Sequence, residues 1–249
     1  MKNLVRLSLL VVLLLTGISC SESKMLMKGI ASYPQPLGYE LISPIDSSAQ
    51  TDSVIVTFTG FQLDSLTSVQ RRKNLILPFI FVNYVEADYR IKLGANLMQQ
   101  DFNEFFFNAI TDESQRSGHF ALCSDSARKK DVYNLEVTLD TCLTDSHFME
   151  NSLMIYYVYG YFLTSSENSY PANSKVACSI KLRKGDQLIR DTTFSVSSSM
   201  EFIGGDILNL NDRLERTAGC LVEALCQSTR DCVSKMIMDV NTSIAAQKR

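Results

Sequence analysis

Apolar and polar residues alternate with a period of two along several stretches of the chain. The segment DSVIVTFTGF sets β-branched and apolar residues against threonines, and this alternation predicts a β-strand. The next apolar run, from Leu75 to Val85, has apolar residues at both odd- and even-numbered positions. It predicts a central strand, with Pro78 at a bulge or at the strand start.

At least four further strands are predicted between residues 119 and 200. They correspond to the segments HFALCSD, VYNLEVTLDTCLTDSHF, LMIYYVYGYFLTSS and KVACSIKLRKGDQLIRDTTFSVSSSM. The sequence RKGDQ between Leu182 and Leu188 has the Gly-Asp turn chemistry of a hairpin. This part of the sheet should therefore be antiparallel.

The period changes to three and four residues in two segments, which predict amphipathic helices. The first covers residues 95–115. The second begins at Asn211 or Asp212, continues for about thirty residues, and carries an apolar stripe from Leu214 to Ile244. Leu225 is expected to face the sheet and Thr229 to face outward.

The order of elements predicts an α+β fold, a largely antiparallel sheet with two helices packed on one face. Residues 54–249 are assigned to this single domain. Residues 20–53 contain Pro34, Pro36 and Pro44 and predict an irregular leader that tethers the domain. Residues 1–19 are assigned to a signal peptide.

The first twenty residues have the three-part form of a secretory signal. A basic start with Lys2 and Arg6 precedes the apolar run Leu7–Leu15, and small residues follow up to Cys20. The run is about half of the roughly 20 residues that a membrane-spanning helix needs. Cys20 at the cleavage point resembles a bacterial lipobox, although Gly17 stands where an aliphatic residue is usual. An ordinary cleaved signal and an uncleaved anchor remain as alternatives.

Lipidation of Cys20 implies a location. Two or more acyl chains hold a protein stably on a membrane, so the mature chain should stay bound through its lipid. Ser21 follows the cysteine instead of the Asp that resembles an inner-membrane retention signal, and no acidic run follows. The resemblance therefore implies the bacterial outer membrane, with the protein on its periplasmic face.

The charge of the chain argues against nucleic-acid binding. Loss of Lys2 and Arg6 with the signal leaves 22 basic and 27 acidic residues, a net charge of about −5. Lys and Arg are not clustered with interleaved aromatic residues. No nucleic-acid partner is expected.

Six cysteines remain after Cys20, which leaves buried thiols or one or two disulfides open. The favoured disulfide joins Cys123 and Cys142, on strands expected to be adjacent. Cys220, Cys226 and Cys232 recur every six residues, so on a helix they point about 120° apart and cannot bridge to one another. All three are expected to be free thiols in the purified, unreduced protein. That divergence also argues against a metal site.

Catalytic motifs are absent from the sequence. It contains neither the Gly-x-Ser-x-Gly nucleophile motif nor a phosphate-binding loop. His119 and His147 are interpreted as turn residues. We expect no enzyme activity, no cofactor and no metal.

Tyrosines are concentrated in the segment LMIYYVYGYF. In a continuous strand Tyr157, Tyr159 and Tyr161 would share one face. Tyrosine suits surfaces that are partly wet and partly buried, so these three residues are a candidate interaction surface. Packing of both faces in the core is the alternative.

The lipobox, the proline-containing leader and the order of the segments NLILPFIFVNY, ANLMQQDFNEFFFNAI, VYNLEVTLD and LRKGDQLIRDTTF resemble a known group. It comprises the periplasmic lipoproteins auxiliary to ABC-type transporters and similar lipopolysaccharide-assembly lipoproteins. The resemblance covers roughly residues 50 to 245 and rests on element order and hydrophobic pattern. It implies a non-enzymatic auxiliary or assembly component of an envelope transport system for lipid or another amphiphile. An ABC-type transporter or an outer-membrane assembly protein would be the partner. The alternative is a free-standing lipoprotein that itself binds a glycan or lipid.

Overall fold

The structure is a computed structural model. It describes residues 26–42, 52–78, 82–117, 120–123, 132–201 and 210–248. The predicted signal peptide, Cys20, Ser21 and His119 lie outside the described residues.

The chain has an α+β fold, as predicted. The described residues form one mostly antiparallel sheet with two long helices packed against it. The helices are α1 (residues 26–31), α2 (Phe102–Ser117) and α3 (Leu210–Ala246). The strands are β1 (Asp52–Thr59), β2 (Ser68–Pro78), β3 (Val82–Lys92), β4 (Phe120–Cys123), β5 (Tyr133–Tyr157), β6 (Gly160–Ser169), β7 (Ala172–Lys184) and β8 (Gln187–Met200).

Strand β5 organises the whole sheet. Its first half pairs in parallel with β1 and antiparallel with β7, and its second half pairs antiparallel with β3 and β6. β1 also pairs in parallel with β4, and β7 forms a hairpin with β8. The turn of that hairpin contains Gly185 at φ 57°, a conformation that glycine adopts without strain. The RKGDQ hairpin prediction is confirmed.

Two strand predictions were wrong. The segments from residue 132 to 157 form a single 25-residue strand, β5, with one irregularity between Leu139 and Thr141. The apolar run from Leu75 to Val85 is not one central strand, because its described residues are divided between antiparallel β2, at the edge of the sheet, and β3. Proline lacks the N–H that would continue the ladder, and β2 ends at Pro78.

One face of the sheet is covered by helices. On β5, Leu135, Val137 and Leu139 are buried, whereas Glu136 and Thr138 on the opposite face are exposed. The predicted stripe of α3 is buried from Leu214 to Ile244. This burial supplies most of the stability of a helix of this kind.

The outward orientation expected for Thr229 was wrong. Thr229 is fully buried, as is Leu225. Four helical residues rotate by about 400°, so position 229 lies only about 40° from position 225. Met238 has 63% of its surface exposed and marks the outer side of α3.

The leader packs on the domain in its described part. Ile30 and Leu37 belong to the hydrophobic core. The Tyr39 hydroxyl donates to Oε2 of buried Glu113 at 3.3 Å, and burial raises the pKa of this tyrosine. Arg230 on α3 forms an ion pair with Glu40 at 3.1 Å. Residues 26–42 are therefore part of the folded unit, although their composition predicted a tether.

Helix α2 begins later than the pattern predicted. A short 3-10 turn, Ala95–Leu97, precedes it. The Asp101 carboxylate accepts the backbone N–H groups of Asn103 and Glu104 at 2.9 and 3.1 Å, which is N-capping. Gly94 is needed because a Cβ there would lie 2.2 Å from the backbone carbon of Leu66.

Candidate functional site

The second half of β5 belongs to a four-stranded extension that we call the arm. It consists of β2, β3, residues 145–157 of β5, and β6. Helices α2 and α3 pack mainly on β4, on the first half of β5, and on β7 and β8. We call this part of the molecule the base. At about 3.3 Å per residue, the arm is roughly 40 Å long. Ala87, Tyr89 and Ile91 of β3 are buried at the root of the arm. Residues 146–155 of β5 are partly exposed at every position, so along this strand both faces of the arm meet solvent.

Aromatic contacts and a close contact between His147 and Asp88 lie at the root of the arm. The rings of Tyr89 and Phe148 stack with centroids 4.4 Å apart, and those of His147 and Tyr170 stack at 4.5 Å. Nε2 of His147 lies 2.6 Å from Oδ1 of Asp88 on β3. These contacts join β3, β5 and the segment after β6, and they stabilise the arm where it leaves the base.

The arm ends in residues Tyr156–Leu163, which we call the aromatic tip. Val158 and Tyr159 form its turn and have 91% and 94% of their surface exposed. The other large side chains of the tip are also exposed, namely Tyr156, Tyr157, Tyr161, Phe162 and Leu163. Core packing of this segment, the alternative left open by the sequence, is therefore excluded.

The three tyrosines of the predicted surface do not share a face. Tyr157 ends β5, and Tyr161 lies on β6 after the turn. The register pairs Tyr156 with Tyr161 and Tyr157 with Gly160. Side chains of directly opposite residues point to the same side, so Tyr157 and Tyr161 point to opposite sides. The sequence analysis did not include Val158, Phe162 and Leu163 in the interaction surface. The glycine at position 160 was the sequence signal for the turn at residues 158 and 159.

The aromatic tip combines uncharged, largely apolar surface with tyrosine hydroxyl groups. From Asn151 to Ser166 the sequence has no charged residue. Four tyrosines add hydroxyl groups that must find hydrogen-bond partners when they are buried. Contiguous exposed apolar surface of this kind marks sites of interaction.

A concave region lies between the leader and α3. It is a groove of about 400 Å³ lined by Tyr39, Glu40, Val222, Glu223 and Arg230, among others. Its rim is polar and is already crossed by the ion pair between Arg230 and Glu40. Leader and α3 therefore contact each other across this groove, whereas the large side chains of the tip are exposed.

Within the residues that the structure describes, no group of three His, Cys, Asp or Glu side chains is placed to hold a metal ion. His147 is engaged with Asp88. None of the helices in the described part of the chain is both long enough and apolar enough to cross a bilayer.

The predicted disulfide between Cys123 and Cys142 is wrong. Cys142 carries a free thiol, and burial raises its pKa to about 12. β4 and β5 are not adjacent, because β1 lies between them. Ile55 of β1 pairs with Cys123 on one side and with Asn134 of β5 on the other. Cys142 lies eight residues beyond Asn134 along β5. The Cα atoms are far beyond the roughly 7 Å that a disulfide allows.

Comparisons with known proteins give a distant structural likeness. No protein-family model matches the sequence, and no curated protein matches it. Among solved structures, the chain is similar to protein XCC0632 from Xanthomonas campestris, of family DUF330, with 10% sequence identity and a TM-score of 0.46. The match covers 86% of this chain and 98% of that protein.

Proposed function

We propose that this chain is a lipid-anchored, non-enzymatic lipoprotein on the periplasmic face of the bacterial outer membrane. In this proposal it is an auxiliary or assembly component of a transport system that handles lipid or another amphiphile. The lipobox-like sequence ending at Cys20 supports the anchor. The observation that carries the docking role is the aromatic tip, exposed at the end of an arm that the helices leave uncovered.

The shape of the tip favours a protein partner over a free ligand. Ligand sites are concave and enclose most of the ligand, whereas the turn at Val158 and Tyr159 is convex and exposed on both sides. Such a tip fits a groove in another protein, where polar groups can satisfy the tyrosine hydroxyls. We propose that the groove belongs to a membrane-associated protein of the transport system, an ABC-type transporter or an outer-membrane assembly protein.

Purification from mildly crosslinked membranes tests this function. We expect a stoichiometric membrane-protein partner with the wild-type chain and at least about tenfold less of it with Tyr159→Asp, because central aromatic residues dominate binding energy. Leu188→Asp is the matched control, since Leu188 is an exposed apolar residue at the β7–β8 hairpin of the base. It should leave the partner bound.

Two results would contradict the proposal. One is a partnerless monomer that carries a bound glycan or lipid, which supports the free-standing binding protein instead. The other is equal recovery of the partner with Tyr159→Asp and with the wild-type chain, which would exclude the tip as the docking site. Circular dichroism of both variants should match the wild-type chain, since both substituted side chains are exposed.

A further inference from the structure

Two thiols that are distant in sequence meet in the core of the base. Cys178 on β7 and Cys232 on α3 are separated by 54 residues, and their Sγ atoms lie 3.5 Å apart. Both side chains are fully buried. Both thiols are reduced in the structure, so the contact is one between two S–H groups.

We propose that Cys178 and Cys232 form a disulfide bond when the chain folds under oxidising conditions, and that this bond fixes α3 to β7. A disulfide holds its sulfur atoms about 2.05 Å apart. The two Sγ atoms therefore need to approach by roughly 1.5 Å. This inference goes beyond the proposed function, although the proposed envelope location would supply the oxidising compartment.

Neighbouring contacts hold β7 and α3 at a suitable distance. Four residues earlier on both elements, the hydroxyl oxygens of Ser174 and Ser228 lie 2.8 Å apart. On the adjacent strand, Ser198 donates to the backbone carbonyl of Ala224 at 2.6 Å. Both contacts lie on the amino-terminal side of Cys232 along α3, and these small side chains let strand and helix approach closely next to the cysteine pair.

The chemistry is thiol–disulfide exchange with a disulfide oxidant, such as an oxidised dithiol protein of the envelope or oxidised glutathione. One thiolate attacks the oxidant's S–S bond, forms a mixed disulfide and releases the oxidant's other sulfur as a thiolate. The second thiolate then attacks the mixed disulfide at the sulfur of the first cysteine. Two protons and two electrons leave the pair, and the oxidant is reduced to two thiols.

A hydrogen bond joins the two sulfurs in the folded chain. Donation from Cys178 lowers the pKa of the Cys232 thiol, and burial opposes this effect. Because both side chains are inaccessible in the folded chain, the bond should form during folding and afterwards be protected from reductants.

The other described cysteines lack such a partner. Cys226 is half-buried, and its sulfur accepts the backbone N–H of Gly38 at 3.4 Å. Cys220 lies six residues earlier on the same helix, about 9 Å away along the axis. A disulfide needs Cα atoms less than about 7 Å apart. Oxidation should therefore select the pair Cys178 and Cys232.

Peptide mapping of the purified protein tests for the disulfide bond independently of the proposed cellular location. The purified, reduced chain is refolded in reduced and oxidised glutathione, unfolded in guanidinium chloride with excess iodoacetamide, and digested with trypsin. Cleavage after Lys and Arg gives peptides 176–181 and 231–235, each with a single cysteine. We expect these two peptides joined, two hydrogen atoms lighter than their sum. Peptide 217–230, with Cys220 and Cys226, should carry two alkyl groups.

A melting experiment gives a second, independent readout. Closing a loop of 54 residues constrains the unfolded chain, so protein refolded in dithiothreitol should have a Tm roughly 10 °C below that of the oxidised protein. Cys226→Ala should keep this shift and Cys178→Ala should lose it. Alkylated, unlinked peptides 176–181 and 231–235 after refolding would overturn the proposal, as would a linkage of either peptide to another cysteine.

Discussion

Single side chains carry two parts of the proposed function, the lipid on Cys20 and the apolar surface around Tyr159. The first is read from sequence, because the chemistry of lipid attachment requires a cysteine directly after a signal segment. The second required the structure. The period-two pattern placed Tyr157 and Tyr161 on one face, and the two-residue turn between them puts them on opposite faces. Hairpin turns without Asn-Gly or Asp-Gly give a weak sequence signal.

Lipid attachment at Cys20 has a direct test. Cys20→Ala should abolish incorporation of radiolabelled palmitate and release the protein from membranes, because no acyl chain would then anchor the mature amino terminus. Cys226→Ala is the control and should remain labelled and membrane-bound. Retention of Cys20→Ala on membranes after an alkaline wash would show that the lipobox interpretation is wrong.

At the scale of elements, the closing helix was predicted almost completely and the strands less well. The stripe from Leu214 to Ile244 repeats over many turns, so its period is unambiguous. Strand β5 exceeds the usual length of three to ten residues, and its partners change midway along it. A local pattern does not record which strands pair, and for this reason the parallel contacts of β1 were not foreseen.

Helix α3 should tolerate charge on its outer side only. Leu225→Asp places an unpaired carboxylate at a fully buried position and should cost at least about 3 kcal/mol. Met238→Asp makes the same kind of change at a position that is 63% exposed, and its effect should be within about 0.5 kcal/mol. Thermal and urea unfolding measure both values. Equal stability of the two variants would mean that α3 does not cover the sheet.

At the scale of the whole molecule, the chain consists of a helix-covered base and an uncovered arm. The base buries the core and holds the leader through Ile30, Leu37 and Tyr39. The arm adds little buried surface and ends in exposed aromatic residues. Sequence analysis predicted the α+β class and the tyrosine segment. It did not predict the arm, because the projection results from β5 continuing past the end of β7.

Site-specific photocrosslinking in intact cells tests most directly whether the aromatic tip is the docking site. p-Benzoylphenylalanine is introduced in place of Tyr159 and, as the control, in place of Leu188 on the base. Because only the tip should lie in a partner's groove, position 159 should give one discrete protein adduct in the membrane fraction. Mass spectrometry should identify it as a component of an envelope transport or assembly system. Adducts to lipid alone from position 159, or the same protein adduct from both positions, would contradict the docking role of the tip.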